Sequence, residues 1–181
     1  MRGEATPVYM YWEQSPRRMW EYNPDLRIIM VLRDPIRRAF SHWQMEMDRG
    51  REVAGFSEAV RLEPARCNEV KPAQHRIFSY ADRGYYSRQL RNLWQYFPRP
   101  QTLVLRHEEF VQNPRATLVA TWRFLGLQEQ PALGAVSNSF RNYTASLDSD
   151  TFDLLRSLFW SDVRELEALL QWDCSNWLQP D

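Results

Sequence analysis

An α/β fold built on a parallel sheet is the architecture this sequence predicts, and three observations carry the prediction. Two short apolar runs rich in branched residues, RIIMVL at 27–32 and TLVL at 102–105, are bounded by polar residues, as buried parallel strands are. The stretch between them carries helical periodicity instead of a two-residue turn. A strand, helices and a second apolar strand make a right-handed crossover in a parallel sheet the default connection.

The elements follow in order. Residues 1–26 are punctuated by Pro7, Pro16 and Pro24, with a short helix expected around Pro16 to Tyr22. After the first strand, Asp34 is placed to cap and Pro35 to start a helix whose apolar positions Ala39, Trp43 and Met47 recur at a spacing of four. Residues 49–79 predict one short helix at Phe56 to Arg61 and then a polar, irregular loop through Lys71 and Pro72. From Gly84, Tyr86, Leu90, Leu93, Trp94 and Phe97 mark one helical face that Pro98 and Pro100 end. Beyond the second strand, Asn113-Pro114 opens a helix carrying Leu118, Trp122 and Leu125, closed by Gly126. A loop over 128–147 follows. A final helix, capped by Ser149 or Asp150, runs to Leu170 with Phe152, Leu155, Phe159, Val163, Leu166 and Leu170 inward.

The 181 residues are expected to form a single domain, 1–181. A composition of 44% hydrophobic and 14% aromatic residues excludes a disordered chain. With 23 basic and 23 acidic residues there is no global field to draw nucleic acid or an anionic membrane, so any anion site must be local. Cys67 and Cys174 lack CxxC spacing, which argues against a metal site or a disulfide framework. No apolar run approaches the ~20 residues of a bilayer span, and no secretory h-region opens the chain. The expectation is a cytoplasmic protein.

Arg33 and Ser41 hold the chemistry that the spacing suggests. One stands at a strand's carboxyl end and the other two turns into the next helix, in the crevice where open α/β sheets bind ligands. A planar guanidinium beside a hydroxyl suits a phosphate, because Arg offers charge and a bidentate fork while Ser donates one further hydrogen bond. On spacing alone, an ordinary ion pair for Arg33 and a groove position for Ser41 account for the same residues.

The segment RIIMVLRDPIRRAFSHW resembles the 3′-phosphate-binding element of sulfotransferases that use 3′-phosphoadenosine 5′-phosphosulfate (PAPS). GEATPVYMY, the stretch from Gly84 to Leu127 and the ending LEALLQWDCSNWL resemble the bacterial and heparan-type members in the same order. The resemblance implies a P-loop-NTPase-like parallel sheet flanked by helices, with Arg33 and Ser41 on the 3′-phosphate of PAPS. It also implies a cofactor role for Arg141 and Tyr143 in SFRNY, although Ser139 and Phe140 replace the lysine and glycine of the family's loop, and ordinary surface roles stay open for the pair.

Sulfuryl transfer is an in-line displacement in which an acceptor hydroxyl or amine attacks sulfur and the bridging oxygen leaves with the nucleotide. It needs a base for the acceptor's proton and a cation or donor at the leaving oxygen. His42 and Glu4, both in motifs that match the family, are the two candidates for the base. His75 and His107 show no partner pattern, and Glu108 and Glu109 read as charges at a helix start.

The family's first strand, with the loop that cradles the 5′-phosphosulfate, has no counterpart before Arg33, and the only lysine is Lys71. The absence of GxxxxGK[ST] sets a P-loop kinase aside. The expected sheet therefore lacks its first strand, which a truncated reading frame, a partner chain, a swapped or dimeric arrangement or a rearranged sheet would account for, and self-association or a non-standard edge is expected. Two functions remain: a sulfotransferase acting on a small-molecule or carbohydrate acceptor without a metal, and a noncatalytic nucleotide-binding or interaction module of the same fold.

Overall fold

Both apolar runs form strands, and the strands pair in parallel. The computed structural model of the chain describes residues 2–129 and 147–180. In order these form α1 (Val8–Tyr11), α2 (Ser15–Tyr22), β1 (Ile28–Leu32), α3 (Pro35–Asp48), α4 (Phe56–Asn68), α5 (Tyr86–Trp94), β2 (Thr102–Arg106), α6 (His107–Gln112), α7 (Pro114–Leu125) and α8 (Ser149–Leu170). The fold is α/β. The described residues make two compact units, one of residues 2–12, 34–91 and 147–180, the other of residues 13–33 and 92–129.

The second unit carries the sheet. β1 and β2 pair from Ile28↔Thr102 through Leu32↔Arg106. Alternation along β1 buries Met30 and Leu32 and leaves Ile29 and Val31 exposed at 38% and 52%. α6 and α7 pack against β2. The Asn113 side chain caps α7, accepting from the Ala116 N–H at 3.1 Å. Gly126 ends that helix at φ 70°, which lets the Leu127 N–H reach the Trp122 carbonyl at 2.8 Å. Around the sheet's start, the Arg27 guanidinium donates to the Phe124 carbonyl, and Gln101 donates to the Pro24 carbonyl at 2.8 Å.

The first unit carries the main apolar core. α3 starts where expected because the Asp34 carboxylate accepts from the Ile36 and Arg37 N–H groups at 2.7 and 3.2 Å and Pro35 presets the first turn. A cap of this kind contributes about 0.5–2 kcal/mol. α3 buries Ile36, Ala39, Phe40 and Trp43, and packs against α4 and α8. Phe40 meets Phe56 edge to face at 5.1 Å, and the Trp43 indole donates to the Ala54 carbonyl at 2.9 Å. From α8, Leu155, Phe159, Val163 and Leu166 are all essentially buried, at the helical spacing read from the sequence.

Two local expectations change. The cap of α8 is Asp148, which accepts from the Thr151 N–H at 2.8 Å, ahead of Ser149 and Asp150. α4 runs to Asn68, beyond the short helix expected to Arg61. Its buried face is Phe56, Ala59, Val60 and Glu63, an unbroken helical stripe whose last member is a carboxylate. Among the described residues no helix is long and apolar enough to cross a membrane.

Gly84 is required by close packing. A Cβ there would lie 2.6 Å from the Phe159 ring and 3.1 Å from Pro35 Cβ. Gly84→Ala is expected to cost about 1–3 kcal/mol in urea unfolding, since Phe159 sits fully buried and cannot yield.

Candidate functional site

The carboxyl edge of the β1/β2 pair brings two charged or titratable residues together. Arg33 is the first residue after β1, and His107 is the first after β2. Because Leu32 stands opposite Arg106, the two chains leave the sheet at one level, with Arg33 and His107 as neighbours. Both are half-buried. Burial first, and then the Arg33 cation, push the His107 imidazole below its ordinary value, while Glu108 acts in the opposite sense. In sequence His107 shows no partner pattern, and the second strand reads as ending at Leu105. One further residue of strand moves Arg106 into the ladder and brings His107 to the edge.

In the other unit the first amides of α3 are taken by Asp34, whose carboxylate also lies 3.2 Å from the Arg37 guanidinium. Ser41 lies on α3, half-buried, next to His42. Glu4 lies in the exposed N-terminal stretch of the same unit, where its hydrogen bond and charge raise the Tyr9 phenol above its ordinary value. Arg141 and Tyr143 lie outside the described residues.

His42 sits inside a buried polar cluster. It is 7% exposed, with Nε2 3.9 Å from a Glu46 carboxylate oxygen and its ring edge-on to Tyr80 at 5.1 Å. Burial, then the fields of Arg83, Arg38 and Arg49, lower its pKa to about 3, although the Ser79 backbone favours the proton. His42 is thus a neutral imidazole at physiological pH. Nearby, Glu63 accepts the Ala81 and Asp82 N–H groups at 2.6 and 2.8 Å, yet burial raises it to about 7. Glu52 faces the same burial, and the Arg66 guanidinium, the Ala54 and Val53 N–H groups and the Tyr80 hydroxyl overcome it to hold the carboxyl at about 2. Together these carboxylates fasten the segment that precedes α5.

The signs give a pH signature. His42, depressed from 6.5, contributes stability that is present above that pH and lost as pH falls toward about 3. Glu63, raised from 4.5, contributes stability that is present below that pH and lost as pH rises through about 7. Between pH 6.5 and 4.5 the two oppose each other. In urea unfolding across that window, His42→Gln is expected to grow more stable on acidification relative to wild type, and Glu63→Gln less. Parallel curves for all three proteins would contradict these assignments.

Comparison with known proteins places the geometry. Residues 9–151 match the profile of the sulfotransferase domain family. The human bifunctional heparan sulfate N-deacetylase/N-sulfotransferase 2 is 29% identical over 150 residues, 81% of this chain and 16% of that protein. The mouse heparan sulfate glucosamine 3-O-sulfotransferase 6 is 28% identical over 125 residues, 69% of this chain and 35% of that protein. The chain therefore spans about a sixth to a third of these relatives. In the crystal structure of a sulfotransferase from Alicyclobacillus acidocaldarius, 98% of this chain matches 67% of that one at a TM-score of 0.82 and 29% identity. With the family profile covering residues 9–151 of 181, the chain belongs to the sulfotransferase domain family.

Proposed function

We propose that the protein binds PAPS, or its desulfated product 3′-phosphoadenosine 5′-phosphate (PAP), through Arg33 and Ser41, and transfers the sulfuryl group to a hydroxyl or amine of a carbohydrate or smaller acceptor. The observation that carries this reading is the position of Arg33, a half-buried guanidinium directly after a parallel strand, followed by the Asp34-capped helix that bears Ser41. A nucleotide 3′-phosphate suits such a group, since Arg binds it bidentately and loses little on partial desolvation. The heparan sulfate sulfotransferases among its relatives make a carbohydrate acceptor the natural class. Arg141 and Tyr143 complete the nucleotide contacts in this reading, and the whole chain acts as one sulfotransferase-like domain in the cytoplasm.

PAPS supplies the sulfuryl group when bound, and the chain must supply a base. Of the two candidates Glu4 is the exposed one, whereas His42 is enclosed and holds a proton too weakly to take one near neutral pH. His42 then acts as a positioning residue on the helix that bears Ser41.

One observation favours a noncatalytic nucleotide-binding module. The only lysine, Lys71, is exposed in the stretch that follows α4, leaving the 5′-phosphosulfate side without a lysine among the residues assigned here. Binding without turnover would decide for that reading.

Calorimetric titration with PAP tests the site. Arg33→Ala is expected to lose roughly 10- to 100-fold in affinity, as a charge-assisted hydrogen bond of about 1.5–3 kcal/mol implies, and Ser41→Ala less. Equal affinity in wild type and Arg33→Ala would remove the phosphate site. The exposed Ile29 and Val31 on β1 further lead us to expect that a second copy covers this strand. A strictly monomeric mass by light scattering would discard that part.

A further inference from the structure

We propose that His107 is a second, proton-dependent cation of the 3′-phosphate site, neutral when the site is empty and protonated when the phosphate monoester of the nucleotide ribose is bound beside Arg33. The inference rests on the reading of Arg33 given above and adds to it a residue and a pH dependence.

Strand register brings the two residues together. Leu32 pairs with Arg106, so the residues that leave the two strands next, Arg33 and His107, are adjacent at the carboxyl edge of a parallel pair. That edge is where ligands of open α/β sheets are held. In the free protein the imidazolium is disfavoured twice, by partial burial and by the fixed Arg33 charge. Glu108 opposes both, and the other charged residues on β2, α6 and α7 are Arg106, Glu109, Arg115 and Arg123. A phosphate bound to Arg33 reverses the sign of the largest nearby charge. Two negative charges then face the ring across a partly desolvated gap, and the imidazolium becomes the favoured form.

Linkage fixes the consequence. Binding that raises the pKa of a group takes up protons wherever the free site is neutral and the bound site charged. Nucleotide binding should therefore be accompanied by proton uptake onto an imidazole nitrogen of His107, and affinity should rise as the pH is lowered from 8 toward 6. An arginine in this position would give a constant affinity, because its charge does not vary in that range.

The experiment is titration of the full chain with PAP at pH 6, 7 and 8, in buffers of differing ionisation enthalpy, so that proton uptake is read directly. Wild type is expected to bind about 5- to 10-fold tighter at pH 6 than at pH 8, relative to His107→Gln, and to take up a fraction of a proton that His107→Gln does not. His107→Lys, which carries a permanent cation, should keep the tight binding at pH 8 and lose the uptake. Ionisation of the phosphate itself is common to all three proteins and cancels in the comparison. The same pH slope and the same uptake in wild type and His107→Gln, with Arg33→Ala still weakened, would overturn the role of His107 alone. If PAP fails to bind wild type, or binds Arg33→Ala equally well, the phosphate site falls and His107 falls with it.

Discussion

Parallel pairing of β1 with β2 is the constraint on which the rest of the structure depends. Parallel strands cannot be joined by a tight turn, so the chain leaving Leu32 must travel well away before it returns at Thr102. That obligatory connection holds α3, α4 and α5, the elements that carry Ser41, His42 and the buried carboxylates. Register matters as much as direction. A slip of one residue would set Arg106 beside Arg33, bringing two permanent guanidinium charges together where the native register pairs a guanidinium with a titratable ring.

The segment before α5 has little regular structure of its own, and side chains hold it. Arg38 donates to the Tyr80 carbonyl, Glu63 receives the Ala81 and Asp82 amides, and Glu52 receives the Tyr80 hydroxyl. Tyr11 donates to Asp82 at 2.7 Å, and Arg83 lies over the Tyr11 ring at 4.9 Å. Each contact satisfies a backbone or side-chain group that an irregular buried segment would otherwise leave without a partner. Titratable groups do this work, and the stability of the unit therefore carries the opposed pH dependences of His42 and Glu63.

Signals that are local in sequence were legible. The Asp34-Pro35 start of α3, the Asn113-Pro114 and Gly126 limits of α7 and the stripe from Leu155 to Leu166 on α8 are set by neighbours within four residues, and the structure keeps them. The second half of α4 was hidden because its buried stripe passes from Val60 to Glu63, and a carboxylate reads as surface until its amide partners some eighteen residues away are known. His42 was legible as part of a motif but not as a buried neutral ring, since Arg83 and Ser79, which set its environment, are distant in sequence. The nearness of His107 to Arg33 depends on the register of two strands some seventy residues apart, which no local signal carries.

In the proposed reading, recognition of an anion by this chain falls almost wholly to arginine. Of its 23 basic residues one is lysine, which leaves 22 arginines whose charge is fixed across the working range of pH. Adjustable positive charge must come from the three histidines. His42 is enclosed among Arg38, Arg49 and Arg83 and stays neutral. His75 has its Nδ1 committed to the Ile77 and Phe78 amides at 3.1 and 3.0 Å, so a proton on that atom would displace both bonds. His107 is half-buried at a sheet edge, where the Arg33 charge disfavours its proton and Glu108 favours it, a balance that a phosphate reaching Arg33 would shift. The proposed site would bind its anion most tightly where a proton is available to accompany it.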